Sequence, residues 1–392
     1  MPDLGRILDM LDRDGALEIE PQSDPPGGPR ASVWPSVENG EEVFEVDHAR
    51  LFPTHNPTDR GYEDFEVHGD DWLLSEDDVG EIVGEVGRDV SESTPPGWDV
   101  WAWYQPIHYF GPEWGIYIRE TGLMECARRI AASLPPGLAV RSSAMVGKAV
   151  IRAAFASLFL HEQYHHKTES AALRMHVIER RAIYPEYHRL AYRATAGTKD
   201  QIEEGLANAD SWYRLTEPAY SKWTGRTVIS TTKDYLARSF LVAPPGYANA
   251  ADLLYRPDFE AEEQLLFSQV QEGLAPIRST PSEFRIASHL NHSLFRVTQR
   301  IWTVVPAGAR TILPTHPAIA PLSTSRLTRL ITRNGWSEVI GAGKGSHRKY
   351  RDDEGRMIIL PKAKDVSRPA LKSTADILGV SVAELEARVR NG

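Results

Sequence analysis

The chain has 392 residues, a single cysteine and a formal net charge of −10. This length is enough for two or three domains with cores of their own. The lone Cys126 excludes a disulfide framework and a thiolate zinc site, and we expect a reducing, cytoplasmic compartment. The N-terminus lacks the regions of a signal peptide, and we expect no membrane span and no membrane partner.

The first 100 residues carry 26 acidic side chains against 6 arginines and no lysine. Residues 1–40 also contain the breaker run Pro25-Pro26-Gly27-Gly28, so we expect a poorly ordered acidic segment there. Most acidic stretches are solvated surface. An alternative is that this acidic part docks by charge complementarity on a basic module of the same chain.

Residues 100–118 are dense in aromatic and β-branched side chains and are interrupted by Gly111-Pro112. This pattern predicts two strands of a hairpin, or a strand and a loop. Tyr104, His108 and Tyr109 are candidates for substrate contacts or for stabilising an oxyanion. The alternative is that these aromatic residues only fill the core.

The most informative pattern is His161-Glu162-Gln163-Tyr164-His165, an H-E-x-x-H motif. Apolar side chains recur at a helical period through residues 144–160, which predicts a buried helix that continues into the motif. Residues four apart lie on one helical face, so His161 and His165 can ligate one Zn²⁺ while Glu162 serves as general base. The alternative is a histidine-rich, solvated turn. A di-iron site would require a second E-x-x-H helix, which we do not expect.

The third ligand has to come from elsewhere in the chain. The sequence is broken near Pro185 and Gly197, and residues 198–201 predict a capping box for a new helix. That helix contains Glu203-Glu204-Gly205-Leu206-Ala207-Asn208. An alternative is that its two glutamates only form the acidic first turn that is common in helices.

H-E-x-x-H followed by E-x-x-A-N on a second helix resembles the gluzincin type of zincin metallopeptidase, over residues 100–220. The resemblance implies that Glu204 is the third zinc ligand, with Glu203 as its nearest competitor and Glu169 as a distant one. It also implies a peptide or protein substrate, held by strand addition to a small sheet beside the active-site helix. We place this zincin-like hydrolase domain at residues 41–305.

Residues 220–303 are predicted to be mostly helical, and we expect His289 and His292 to be structural or surface residues. Residues 306–321 are rich in proline and predict a linker. Residues 322–392 then carry 14 basic and 8 acidic side chains. Their pattern predicts a helix at 325–334, strands at 336–340, 346–351 and 356–360, and one or two helices at 368–390. An αβββα order with basic charge indicates RNA recognition of the double-stranded-RNA-binding type.

Several short motifs in this segment occur in a recognisable order: Asn334-Gly335-Trp336, Lys344-Gly345-Ser346-His347, Ile358-Ile359-Leu360-Pro361 and Leu371-Lys372-Ser373-Thr374. Together they resemble the HicA family of toxin ribonucleases over residues 322–385. The resemblance implies that His347, in the G-S-H motif, is the catalytic acid–base. We expect Lys344, Arg348 and Lys349 beside it to hold phosphate, and Lys362 and Lys364 to complete the basic RNA-binding surface. The sequence departs from the family at Lys362-Ala363-Lys364, where a histidine-containing segment is usual.

We therefore expect an α+β protein with a zincin-like core followed by a small αβββα module. The predicted function is that of a zinc metallopeptidase-like hydrolase, an endoribonuclease, or both, in toxin or anti-phage defence. In one alternative the peptidase is the effector and the module only recognises RNA. In others the module is the ribonuclease and the metal half is regulatory or structural, or the chain is a non-catalytic RNA-binding protein. The expected partners are a peptide substrate, RNA, and either a separate antitoxin or the acidic N-terminal half of the same chain.

Overall fold

The computed structural model describes residues 4–17, 37–53, 72, 74–88, 101–138, 143–272, 300–316, 322–340 and 347–391. Its α-helices are α1 (Leu4–Arg13), α2 (His48–Leu51), α3 (Glu76–Val83), α4 (Ile107–Phe110), α5 (Glu120–Ala132), α6 (Ser143–Glu179), α7 (Ile183–Tyr187), α8 (Ile202–Arg214), α9 (Pro218–Thr224), α10 (Arg226–Phe240), α11 (Arg256–Glu272), α12 (Thr324–Arg333), α13 (Arg368–Leu378) and α14 (Val382–Asn391). A π-helix spans His188–Tyr192, and 3₁₀ turns span Gly111–Glu113 and Tyr247–Leu254.

The strands are β1 (Glu41–Glu45), β2 (Ala102–Gln105), β3 (Gly115–Arg119), β4 (Ile301–Pro306), β5 (Leu322–Ser323), β6 (Ser337–Glu338), β7 (His347–Arg351), β8 (Met357–Pro361) and β9 (Asp365–Val366). One sheet has the order β1-β4-β3-β2, in which β3 and β4 are parallel and the other pairs antiparallel. Strands β6, β7 and β8 form an antiparallel sheet, and β5 pairs with β9. The α+β class and the β2–β3 hairpin are thus as predicted.

Helix α6 runs through the middle of the larger part of the protein. Its first half is apolar on all sides, and every residue from Ala149 to Leu160 is buried. A helix of this kind needs partners all round, and α6 packs against α3, α5, α8 and α9 as well as β2. Contrary to our expectation, it is long and apolar enough to cross a membrane, but 78% of its most apolar window is buried inside the molecule. Most of its apolar surface is therefore covered by the rest of the molecule.

A buried carboxylate on α6 fastens the loop of the β2–β3 hairpin. Glu169 accepts hydrogen bonds from the backbone N–H groups of Ile107 and His108, each at 3.0 Å. It also accepts from the Tyr104 hydroxyl and contacts the His108 ring at 2.5 Å. Burial alone would raise the pKa of Glu169, but these partners hold it below its usual value. The loop between the two strands is therefore fixed to the central helix.

The N-terminal segment corrects one prediction. Residues 4–17 are not poorly ordered, because Leu4, Ile7, Leu8 and Leu11 place an apolar stripe on one face of α1 and bury it. This helix packs on β8 and α13. The high acidic content of the segment hid that stripe. Residues 18–36, where the Pro-Gly run lies, are outside the described residues.

The proline-rich stretch that we expected to be a linker is in part a packed extension of the larger sheet. Glu120, buried below β4, accepts hydrogen bonds from Thr303, from Thr311 and from the backbone N–H of Ile312. Leu313 is buried as well. Residues 306–316 therefore do not form a free linker, and residues 317–321 lie outside the described part of the chain.

The C-terminal segment contains the predicted helix, three strands and two further helices in that order, and it adds two short strands, β5 and β9, that the sequence analysis did not predict and that pair with each other. The first of the three predicted strands is shorter than expected, and Gly379 separates α13 from α14 at a left-handed φ of +69°. This module contacts the larger sheet directly. Arg300 pairs with Asp376 at 3.1 Å, and Lys372 pairs with Glu45.

The network of Glu169 predicts a stability effect. Glu169→Gln should lower the free energy of unfolding by about 3 kcal/mol, because the substitution removes a buried charge from donors arranged to meet it. Glu179→Gln, the same substitution at an exposed position of α6, should change it by less than about 0.5 kcal/mol. Urea unfolding of both variants measures the difference. Equal midpoints would show that Glu169 does not hold the hairpin loop.

Candidate metal centre

Two helices supply the residues of the candidate metal centre. Helix α6 carries His161, Glu162 and His165, while α8 carries the acidic pair that follows Ile202. The capping box predicted at residues 198–201 does not form: α8 begins without a side-chain cap, and Gln201 accepts from the N–H of Gly197 instead. Helix α8 is still held firmly, since it is buried against α6 over most of its length.

Three side-chain atoms converge between the two helices. His161 Nε2 and His165 Nε2 lie 3.4 Å apart, and Glu204 Oε2 lies 3.3 Å from the first and 3.5 Å from the second. Tetrahedral ligands at the usual zinc distances are about 3.3–3.5 Å from one another. All three residues are buried, and Glu204 Oε2 has no hydrogen-bond partner among the described residues. The triangle therefore has the size and the donor atoms of a metal site.

The far side of each imidazole is held by an acceptor. His161 Nδ1 lies 3.0 Å from Asn208 Oδ1, and His165 Nδ1 lies 2.9 Å from Glu203 Oε1. The amide of Asn208 donates in turn to the carbonyl of Tyr247, which fixes its orientation. Both Nδ1 atoms therefore carry the proton, and both Nε2 lone pairs face the centre of the triangle. Histidines that ligate a metal have this second contact almost always.

The two adjacent glutamates have different positions. Glu204 faces the Nε2 atoms and accepts a hydrogen bond from the hydroxyl of Tyr192. Glu203 reaches only the Nδ1 side of His165 and accepts from the hydroxyl of Tyr187. The geometry thus places Glu204 with the two imidazoles and Glu203 behind one of them.

The electrostatics of the triangle favour positive charge at its centre. Burial by itself would raise the pKa of Glu204, but the imidazoles of His165 and His161 hold it well below its usual range. Burial would likewise lower the pKa of both histidines, yet Glu204 outweighs it and raises them. A cation between these groups would replace the shared proton and satisfy the buried carboxylate.

Glu162 lies beside the triangle without belonging to it. Its Oε1 is 3.9 Å from His161 Nε2, and the residue is 3% exposed. Among the four side chains at the centre, that of His165 is the most exposed at 11%, against 1% for Glu204. The centre is therefore nearly closed, and its least buried residues are His165 and the half-buried Tyr192.

The other candidate residues of this half lie away from the triangle. Tyr104, His108 and Glu169 bond to one another and are buried below the hairpin, so Glu169 is not placed as a ligand. The ring of Tyr109 packs at a tilt against that of His188, with the ring centroids 5.1 Å apart. All four residues of β2, the edge strand next to α6, are buried, so this edge offers no exposed backbone for the strand addition that we expected. His289 and His292 fall outside the described residues.

A second E-x-x-H spacing does occur in the chain, at Glu45-Val46-Asp47-His48. Glu45 pairs with Lys372, and the ring of His48 packs on Phe52 and Phe159. Neither residue is brought to the triangle, so the di-iron alternative gains no support from this motif.

Sequence analysis missed the tyrosines that surround the triangle. Tyr187 and Tyr192 come from the segment around the π-helix, a rare element that is frequent at functional sites. Tyr247 reaches the ring of His161 because Gly205 allows the 3₁₀ turn to approach α8: a Cβ there would lie 2.8 Å from Asn249 Cβ. The repeated aromatic residues of 184–192 were a visible signal, but their direction depends on tertiary packing.

The basic residues of the C-terminal module are only partly gathered. His347 begins β7 opposite Pro361, and Arg348, Lys362 and Lys364 are exposed nearby. Lys349 is not free to hold phosphate, because it pairs with Asp12 of α1. Lys344 is outside the described residues.

Comparisons of this chain with protein-family models, with curated proteins and with solved structures give no match. The function of the site has to be inferred from its own geometry.

The triangle predicts which substitutions empty the site. We expect one divalent metal ion per purified chain, which Glu204→Ala and His165→Ala should remove. Asn208→Ala should keep the ligands but weaken metal affinity by about 10- to 100-fold, because the His161 ring loses its anchor. Metal content by mass spectrometry, with chelator competition, measures both effects. If Glu204→Ala retained the metal and Glu203→Ala lost it, Glu203 would be the ligand and our assignment of Glu204 would be wrong.

Proposed function

We propose that the chain is a zinc-dependent hydrolase with a zincin-like core, acting on a peptide or protein substrate. The observation that carries this proposal is the convergence of His161 Nε2, His165 Nε2 and Glu204 Oε2. Two imidazoles and one carboxylate, with no cysteine, form the ligand set of catalytic zinc sites, which keep one position open. Bound zinc would polarise a substrate carbonyl and lower the pKa of water.

The remaining chemistry belongs to the residues of the chain. Glu162, one position beyond a ligand, is placed to take a proton from the attacking water and to return it to the leaving nitrogen. Asn208 and Glu203 keep the imidazoles in one orientation and one tautomer. The half-buried Tyr192, whose hydroxyl donates to Glu204, is our candidate for a contact with substrate. The motif resemblance is what supports a peptide as substrate.

The general base can be separated from the ligands by one substitution. Glu162→Gln should lower the hydrolysis of a mixed fluorogenic peptide library by at least about 100-fold while metal content stays at the wild-type level. Glu179→Gln on the same helix serves as the matched control and should keep full activity. Wild-type activity in Glu162→Gln would remove Glu162 from the reaction, and an inactive wild-type chain with bound metal would count against a peptide substrate.

A second function is favoured by an observation in the C-terminal module. His347, at the start of β7, lies opposite Pro361 of β8, so that Lys362 follows directly after its partner in the strand pair. The exposed Arg348 and Lys364 extend this positive surface. We propose that this module binds RNA and that His347 transfers protons in its cleavage. A cytoplasmic role in toxin or anti-phage defence, with or without a separate antitoxin, follows from the resemblance to HicA and is part of this proposal.

We further propose that α1 screens the module within the same chain. Side chains alternate along a strand, so His347, Lys349 and Arg351 share one face of β7. Asp12 pairs with Lys349, and Asp9 pairs with Arg351 at 2.7 Å. Two aspartates of α1 thus neutralise two of the cations on the face that carries the proposed catalytic histidine.

The screen and the catalyst are tested together in one set of variants. Asp9→Ala combined with Asp12→Ala should strengthen RNA binding and raise cleavage, because two cations lose their acidic partners. Adding His347→Ala should then abolish cleavage and leave binding within a few-fold. Asp234→Ala with Asp258→Ala controls for the change in net charge. Cleavage that persists without His347 would end the ribonuclease assignment, and unchanged binding in the α1 variant would end the screening role.

A further inference from the structure

Two helices of the C-terminal module enclose a cavity of about 210 Å³ between them. Its floor is apolar, formed by Leu330 of α12 and Val389 of α14. Its rim consists of arginines only: Arg326, Arg329, Arg333, Arg388 and Arg390. This cavity, the arginine groove, is formed by different elements from the β7 face that carries His347.

The positive charge of the arginine groove is compensated on the α14 side but not at Arg326 and Arg329 of α12. On α14, Arg388 and Arg390 pair with Glu384 and Glu386 of the same helix. Helix α12 contains no acidic residue. Its exposed Arg326 and Arg329 have no ion-pair partner in the part of the chain that the structure describes.

The spacing of the α12 arginines gives the shape of the ligand. Arg326, Arg329 and Arg333 are three and four residues apart, so they share one helical face and span about 10 Å. Guanidinium groups round one cavity repel each other, and the ion pairs of Arg388 and Arg390 offset only part of this repulsion. One guanidinium group can donate two parallel hydrogen bonds to two oxygens of a phosphate. A row this long exceeds what one phosphate group requires and fits consecutive phosphates of a strand.

We propose that the arginine groove binds the phosphate backbone of a single-stranded RNA. This inference rests on the proposed RNA function of the module and names its main contact surface. The groove differs from the basic surface expected around His347, since none of its arginines is among the cations named there. It also lies apart from α1, which contacts β8 and α13. The groove can therefore hold RNA while the β7 face is still screened.

The test uses the full-length chain and a fluorescently labelled single-stranded RNA of about 20 nucleotides, titrated over a range of salt concentrations. Arg326→Ala combined with Arg329→Ala keeps α12 intact, since alanine is the best helix former. Removing two phosphate contacts should lower the slope of log K against log salt by about 1.4, at about 0.7 per contact. The exposed pair Arg189→Ala with Arg226→Ala is the matched control and should keep the wild-type slope.

A third variant, Lys362→Ala with Lys364→Ala, separates the two surfaces. A reduced slope in the groove variant supports the inference. The slope of the lysine variant shows separately whether the surface near His347 also contacts phosphate. An unchanged slope in the groove variant, while wild-type protein binds RNA, overturns the groove and leaves the proposed RNA function in place. No RNA binding by the wild-type chain at low salt overturns the RNA function and this inference with it.

Discussion

The packing of α8 against α6 is the constraint on which the site depends. It buries Glu203 and Glu204 in contact with His161 and His165, and a buried carboxylate is stable only with partners that neutralise it and hydrogen-bond to it. Each imidazole therefore has a carboxylate or an amide on its Nδ1 side and a carboxylate on its Nε2 side. A protein that only needed a stable core would be better served by apolar side chains at these positions. The polar cluster has the donor atoms and the size to hold a cation.

The sequence predicted the triangle because its signals are local. Four-residue spacing brings His161 and His165 to one face of a helix. The E-x-x-A-N motif on the next helix indicated Glu204 as their partner. The layer behind them could not be found in this way. Asn208 and Glu203 meet the histidines 47 and 38 residues away in the chain, and Tyr187 and Tyr192 donate to Glu203 and Glu204 from the segment just before and within the π-helix. Such contacts depend on tertiary packing.

Charge patterns were the weaker guide to structure. The acidic N-terminus suggested disorder, yet apolar residues of α1 pack it on the C-terminal module. From the sequence around His347 we predicted that Lys349 contacts phosphate, whereas in the structure it pairs with Asp12. The arginines of α12 drew no attention in the sequence, because their partner helix had to be placed before a groove appeared. A sequence reports which charges exist, and only the fold decides which of them are neutralised.

The central claim is that one ion occupies the triangle. Anomalous diffraction at the zinc absorption edge, from crystals of the protein as purified, tests this most directly. The account predicts a single strong peak at about 2.0–2.2 Å from His161 Nε2, His165 Nε2 and Glu204 Oε2, with Glu162 outside bonding distance. No peak between α6 and α8, or a peak bound by Glu203 in place of Glu204, would contradict it.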